Sequence, residues 1–335
     1  MNSTHLLSPG TQLSVNTSQP ESTMQMQDPF AFVANIARIE DADTAELVPG
    51  HVLRRATLDE IEIIKTSLGV NQGGLLSPHF SWWEIRKEPD GQFTELPEED
   101  WEYFVISFKG SNEHIDTLEH VFCIAPIELK VAFTAVSWPP DAVRGHPGRI
   151  YNQGRLLQMF NHRLGQPPER LVITPSDIEQ ISALFRAFNS HDTQLLSVRR
   201  IAGQMLELEA LPWHSPSKFL AYFGILESLL TIKPKPNDQC ASITHQIKNK
   251  IALLDHRWSP CLDYSAFNGA KEDTVWAKMY AYRSALAHGD TPNFGSELQK
   301  LGSHENAMEL LKSAVKAIAR LALKEPQLMT DLRRC

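Results

Sequence analysis

The stretch TVWAKMYAYRSALAHGD (274–290) holds two side chains suited to moving protons and binding phosphate, Arg283 and His288. Imidazole titrates near neutral pH, so a histidine can give or take a proton during a reaction. Guanidinium stays charged and presents forked donors that match a phosphate. On a helical wheel, Val275, Met279, Tyr282 and Leu286 form a core-facing stripe. Arg283 falls at the edge of that stripe, where partial desolvation calls for a carboxylate or phosphate partner. Arg283 and His288 diverge by roughly 140° and are separated by about 7.5 Å along an ideal helix, so a single helix does not stack them. Gly289 is a natural residue to follow a helix end, which places His288 in the last turn. On the other side, Ala277, Ala281, Ser284 and His288 form a narrow stripe of small residues ending in histidine. Small side chains let a second helix approach closely, from the same bundle or from a second copy. Such a copy would bring two arginines and two histidines to one seam.

Structural roles compete with these chemical ones. Arg283 can form a salt bridge to a bundle carboxylate such as Glu227, and His288 can complement the negative end of a helix dipole. Asp290 can orient His288 or serve the turn after Gly289. Lys278, His245 and Lys248 can add positive charge to a phosphate-binding groove or sit on an ordinary surface, and Tyr282 reads as core. His114 and His120, beside Glu113 and Glu119, do not form a metal-binding H-E-x-x-H, and no Walker-type, G-x-G-x-x-G or G-x-S-x-G loop occurs. Phe80, Trp82 and Trp83 can stack on a ligand, although a half-buried strand fits them better.

The elements that position these residues fall into two parts. Residues 1–27 are rich in Ser, Thr, Asn and Gln and predict a disordered tail. Residues 28–150 predict an α+β domain. Thr57 and Glu60 form a capping box for a helix over 57–69 ending at Gly69. Strands are predicted at 80–88, 101–110 and 129–138, a helix at 114–125, and a turn-forming run over 139–149 closes the unit. After a connection over 151–175, residues 176–330 predict an all-α bundle. Its helices fall at 176–189, 193–210, 216–231, 240–254, 273–288 and 304–324, with Ser215, Asp273 and Ser303 as caps and Pro216 at a first helical position. Phe219, Tyr222, Phe223, Leu226, Leu229 and Leu230 share one face of the 216–231 helix, and Met308, Leu311, Val315, Ile318 and Ala322 share one face of the last.

Composition sets further bounds. A chain of 335 residues with 42% hydrophobic residues can bury substantial cores. A formal charge of −8 argues against a general nucleic-acid coating protein and confines any RNA binding to a local patch. Four scattered cysteines (Cys123, Cys240, Cys261 and Cys335) suggest neither a zinc site nor a disulfide framework. No membrane-spanning or secretory segment is apparent, so a cytoplasmic location is expected.

The run RSALAHG, with Arg-x-x-x-x-His closing a helix, resembles the signature of HEPN domains, and the upstream FLAYFGILESLLTI (219–232) looks like the acidic-residue helix of the Apea-like HEPN branch. The resemblance covers roughly 215–325. It implies a helical-bundle endoribonuclease, a metal-independent hydrolase whose composite site forms at a homodimer interface. Its catalytic residues would be Arg283 and His288, supported by Glu227, Ser284 and Asp290. The dimer contact would run through Ala277, Ala281 and Ser284. The substrate would be RNA, with no metal and no cofactor, and the setting a toxin or antiviral defence effector triggered through an unknown ligand of the N-terminal domain. Many active HEPN ribonucleases have Asn, Asp or His after the arginine, where this chain has Ser284, which can hydrogen-bond but carries no charge. The alternative is a non-catalytic HEPN-like module for dimerisation or for RNA or nucleotide binding.

Overall fold

The computed structural model describes residues 28–67, 81–109, 112–136, 150–151, 170–190, 196–232, 242–258 and 261–334. The expected tail, the turn-forming run over 139–149, Gly69 and Phe80 lie outside these residues. The first half is built on a six-stranded antiparallel sheet of order β3-β4-β7-β1-β8-β9. Its strands are β1 (Phe30–Val33), β3 (Thr44–Val48), β4 (His51–Arg55), β7 (Phe104–Phe108), β8 (Val131–Ala135) and β9 (Ile150–Tyr151). Alternate residues face opposite sides of a strand, and both sides here are apolar. Phe30, Phe32, Tyr103, Val105 and Phe133 pack with Ile61, Ile64 and Trp83 on one face. Ala31, Val33, Leu53, Phe104, Ile106 and Phe108 join a second core on the other.

Helix α1 (Leu58–Ser67) covers the first face and begins with the expected capping box: Thr57 N–H donates to Glu60 at 2.8 Å, and Glu60 N–H donates to Thr57 Oγ1 at 3.3 Å. Arg54 also donates to both Glu60 oxygens, at 2.7 and 2.8 Å. Helix α2 (Glu113–Ile124) lies on the second face. The aromatic run does not form the long strand its composition predicts. Ser81–Trp83 is a 3₁₀ turn that plugs Trp83 beneath the sheet, where it stacks on Tyr103 at 5.6 Å. Only the short β5 (Ile85–Lys87) follows, pairing with β6 (Phe93–Glu95).

Residues 170–173, within the stretch expected to be a connection, form β10 (Arg170–Ile173), parallel to β2 (Ile36–Ile39). A capping box between Thr174 and Asp177 then starts α3 (Pro175–Phe188). From there the α-helices among the described residues are α4 (Leu196–Leu208), α5 (Pro216–Leu230), α6 (Ile243–Asp255), α7 (Glu272–His288), α8 (His304–Lys324) and α9 (Pro326–Arg334), with no strand among those residues. The order is thus an α+β half followed by a helical half. Ser303 caps α8 as expected, its hydroxyl accepting from Asn306 N–H at 3.2 Å. Ser215 precedes Pro216 at the start of α5 but makes no side-chain capping bond. Lys271, rather than Asp273, occupies the cap position of α7, and Asp273 sits in the first turn, where its charge complements the helix dipole.

The second core runs without interruption from the sheet through α2 into the bundle. Helix α8 is buried on most of its circumference and forms the axis of the helical half. It also carries Lys312, Lys316 and Arg320 one turn apart, all facing the α+β half. Glu128, just before β8, reaches in to Lys312 at 2.9 Å and Lys316 at 3.1 Å. Glu209 accepts a second contact from Lys312 at 3.1 Å, and Arg320 donates to the Ile124 carbonyl at the end of α2, at 2.7 Å. This clamp joins the halves. Burial is the largest single effect on the Glu128 carboxyl and would raise its pKa, but Lys312 and Lys316 together outweigh it and hold the group far below its ordinary range. No described helix is long and apolar enough to cross a membrane.

Candidate functional site

Helix α7 is fixed along one side and open along the other. Val275, Trp276, Met279 and Tyr282 are buried, and the helix packs against α5 and α6. Trp276 Nε1 donates to the Tyr264 hydroxyl at 3.0 Å, and the Tyr282 ring sits 4.5 Å from Phe219 of α5. Near the start of α8, His304 lies between Tyr282 and the Trp213 carbonyl. The carbonyl can only accept, so the imidazole donates to it through Nε2 at 3.1 Å, and in the neutral ring Nδ1 then accepts from the Tyr282 hydroxyl at 2.6 Å. Burial raises the Tyr282 pKa to about 12, so the phenol keeps its proton. These contacts place Tyr282 in the framework and set the rotation of α7, which puts Arg283 at the edge of the buried side.

The end of α7 is sharply defined. Gly289 adopts φ 78°, in the left-handed region. Its N–H bonds the Leu286 carbonyl at 3.3 Å, and Asp290 N–H bonds the Ala285 carbonyl at 2.9 Å. This pair of bonds is the Schellman arrangement, which satisfies two carbonyls that helix termination would otherwise orphan. His288 is therefore the last helical residue and is exposed, as is the Asp290 side chain. Asp290 contributes through its backbone to the helix stop, and no bond from its carboxylate to His288 occurs among the described residues.

Arg283 and Glu227 meet across α7 and α5: the guanidinium Nη2 donates to Glu227 Oε2 at 3.3 Å. The Arg283 side chain is 32% exposed and that of Glu227 is 18% exposed. Glu227 Oε1 is buried and has no hydrogen-bond partner among the described residues. A single long contact at a partly solvated position contributes ~0–1 kcal/mol, so it orients the arginine without consuming its binding capacity. The remaining guanidinium N–H groups face no described protein acceptor. In terms of geometry, the site is a half-tethered cation and, five residues on along the same helix and pointing away from it, an exposed histidine.

The small-residue stripe follows the open side. Ala281 and His288 are exposed, and Ala277 and Ser284 are half-buried. Arg283 and His288 make no hydrogen bond to each other, in keeping with their divergence along the helix. Of the flanking basic candidates, Lys248 pairs with Asp273 at 3.3 Å, Asn249 donates to His245 Nε2 at 2.8 Å, and Lys278 is half-buried. Sequence reasoning missed the buried clamp. Its only local signal is the Lys312, Lys316, Arg320 spacing, three cations one turn apart on a helix that is otherwise apolar on that side. No family model, curated protein or solved structure matches the chain.

Proposed function

We propose that the chain is a metal-independent endoribonuclease of the HEPN type, acting through Arg283 and His288. The observation that carries this reading is the partly exposed, singly bonded Arg283 on the same helix as the exposed, helix-terminal His288. Arg283 would bind a non-bridging oxygen of the scissile phosphate and stabilise charge that develops there. The RNA 2′-hydroxyl attacks the adjacent phosphorus and loses its proton to a base. The P–O5′ bond breaks and the departing 5′-oxygen takes up a proton, giving a 2′,3′-cyclic phosphate and a 5′-hydroxyl. His288 can serve as the acid or the base. A second copy packed on Ala277, Ala281 and Ser284 would supply the other proton-transfer group and complete the site. A defence or toxin role is the setting that the HEPN resemblance suggests.

The Arg283–Glu227 contact also favours a second reading, in which the arginine is structural and the bundle is a non-catalytic dimerisation or RNA-binding module. Purified full-length protein incubated with structured RNA and a chelator separates the two. The nuclease reading expects 2′,3′-cyclic phosphate ends and no cleavage of DNA of the same sequence, which lacks the attacking hydroxyl. It also expects Arg283→Ala and His288→Ala each to reduce cleavage by about 10²–10³-fold, the usual scale for losing one charge-stabilising or proton-transfer group. RNA left intact by the wild type, or cut equally by both variants, removes the nuclease assignment.

A further inference from the structure

We propose that His51 and His114 form an acid-sensitive joint that releases the N-terminal end of α2 from the sheet. His51 opens β4 and is 2% exposed. Its Nδ1 lies 3.1 Å from the Pro49 carbonyl and must carry the proton, because a carbonyl only accepts. In the neutral ring Nε2 then holds a lone pair, and that atom is buried with no hydrogen-bond partner among the described residues. Phe108 of β7 lies flat against the His51 ring at 5.6 Å, with an interplanar angle of 3°. His114, in the first turn of α2, stands 5.3 Å from His51, and Phe185 of α3 meets His114 edge-on at 5.5 Å. These surroundings suit a neutral imidazole. Among the described residues they offer an imidazolium no acceptor at Nε2.

The charged groups nearby do not change that conclusion. Glu46 of β3 is engaged with the Gly50 N–H at 2.8 Å. Lys109 after β7, Glu113 and Asp116 of α2, and Arg186 of α3 are all exposed. The titratable neighbour whose charge acts on His51 is His114, and it opposes protonation.

Burial lowers the His51 pKa from its ordinary 6.5; the Pro49 bond opposes it as the next effect, and His114 adds a smaller lowering. The unfolded chain therefore takes up this proton before the folded chain does. The associated stability is complete above pH ~6.5 and declines as pH falls below it. The opposite end of α2 stays held, because Arg320 grips the Ile124 carbonyl and Glu128 remains ionised between its lysines. Acid thus loosens one end of α2 while the other remains clamped to α8.

The test compares full-length wild type, His51→Phe and His114→Gln by thermal unfolding at pH 7.5 and 5.5. The wild-type melting temperature should fall by at least ~2 °C more than that of His51→Phe, a shift that unfolding of this size resolves, with His114→Gln between them. Backbone amides at 113–118 should lose exchange protection at pH 5.5 while those at 121–125 keep it. Equal falls for wild type and His51→Phe overturn the joint. If His51→Phe does not fold, imidazole NMR of the wild type decides: a His51 ring still neutral below pH 6.5 supports the joint, and one that protonates at or above 6.5 overturns it.

Discussion

Helices α7 and α8 both place cations at the edge of an apolar face, yet they use them in opposite ways. On α8, Lys312, Lys316 and Arg320 are directed inward, and each has a named acceptor within 3.1 Å. On α7, Arg283 has one contact at 3.3 Å and remains one-third exposed, while His288 is exposed at the helix end. The first set is committed to holding two halves together. The second leaves most of its hydrogen-bonding capacity unused among the described residues. Residue type alone does not separate a structural cation from an available one; the number and length of its protein contacts do.

The comparison breaks most readily at Glu128. Replacing it with leucine leaves two buried lysines short of a carboxylate, and breaking a buried pair in this way costs about 3–5 kcal/mol. Urea denaturation of Glu128→Leu should show that loss, and adding Lys312→Met and Lys316→Met should recover much of it. A loss under 1 kcal/mol would mean that the clamp does not hold the halves. The clamp also has a predictable pH response. Because the Glu128 carboxyl is held far below its ordinary range, its contribution is present above that range and is lost only as pH falls through the depressed folded value. Unfolding curves for wild type and Glu128→Leu should therefore keep their separation down to pH 5, where the His51 joint has already begun to loosen.

Smaller effects are expected around α7. Tyr282→Phe leaves His304 Nδ1 without its donor and should cost ~1–2 kcal/mol in the same measurement. Gly289→Ala places a side chain at φ 78°, with nothing within 4 Å of the added carbon, so the cost is the backbone strain alone. That is ~1–2 kcal/mol, readable as a shift in melting temperature. A larger loss would show that the helix stop also supports packing beyond α7.

The sequence was most legible where helices carry both periodicity and caps. Thr57 with Glu60, Ser303, and Gly289 mark ends that the structure reproduces, and the apolar faces of α5 and α8 are buried as the spacing predicts. The sheet was harder to read. β1 and β2 have four residues each, and FAFV is apolar at every position because both faces of the sheet are covered, so no alternation marks it. The aromatic stretch at Trp82 and Trp83 mimics a strand, but the three residues Ser81–Trp83 turn tightly to pack Trp83 on Tyr103. At the candidate site, the sequence identified Arg283, His288 and Glu227, and the structure brings only Arg283 and Glu227 together. The clamp was illegible for a plain reason: Glu128 meets partners 184 and 188 residues away, and no local pattern encodes such a pairing.

The most direct test of the central claim measures RNA cleavage and thermal stability together for Arg283→Ala in the presence of a chelator. If Arg283 is held for chemistry, cleavage falls by about 10²-fold or more, while stability changes by no more than ~1 kcal/mol, the scale of an exposed ion pair. Unchanged cleavage, or a loss of cleavage that only tracks unfolding, would contradict the account and make Arg283 a structural cation like those of α8.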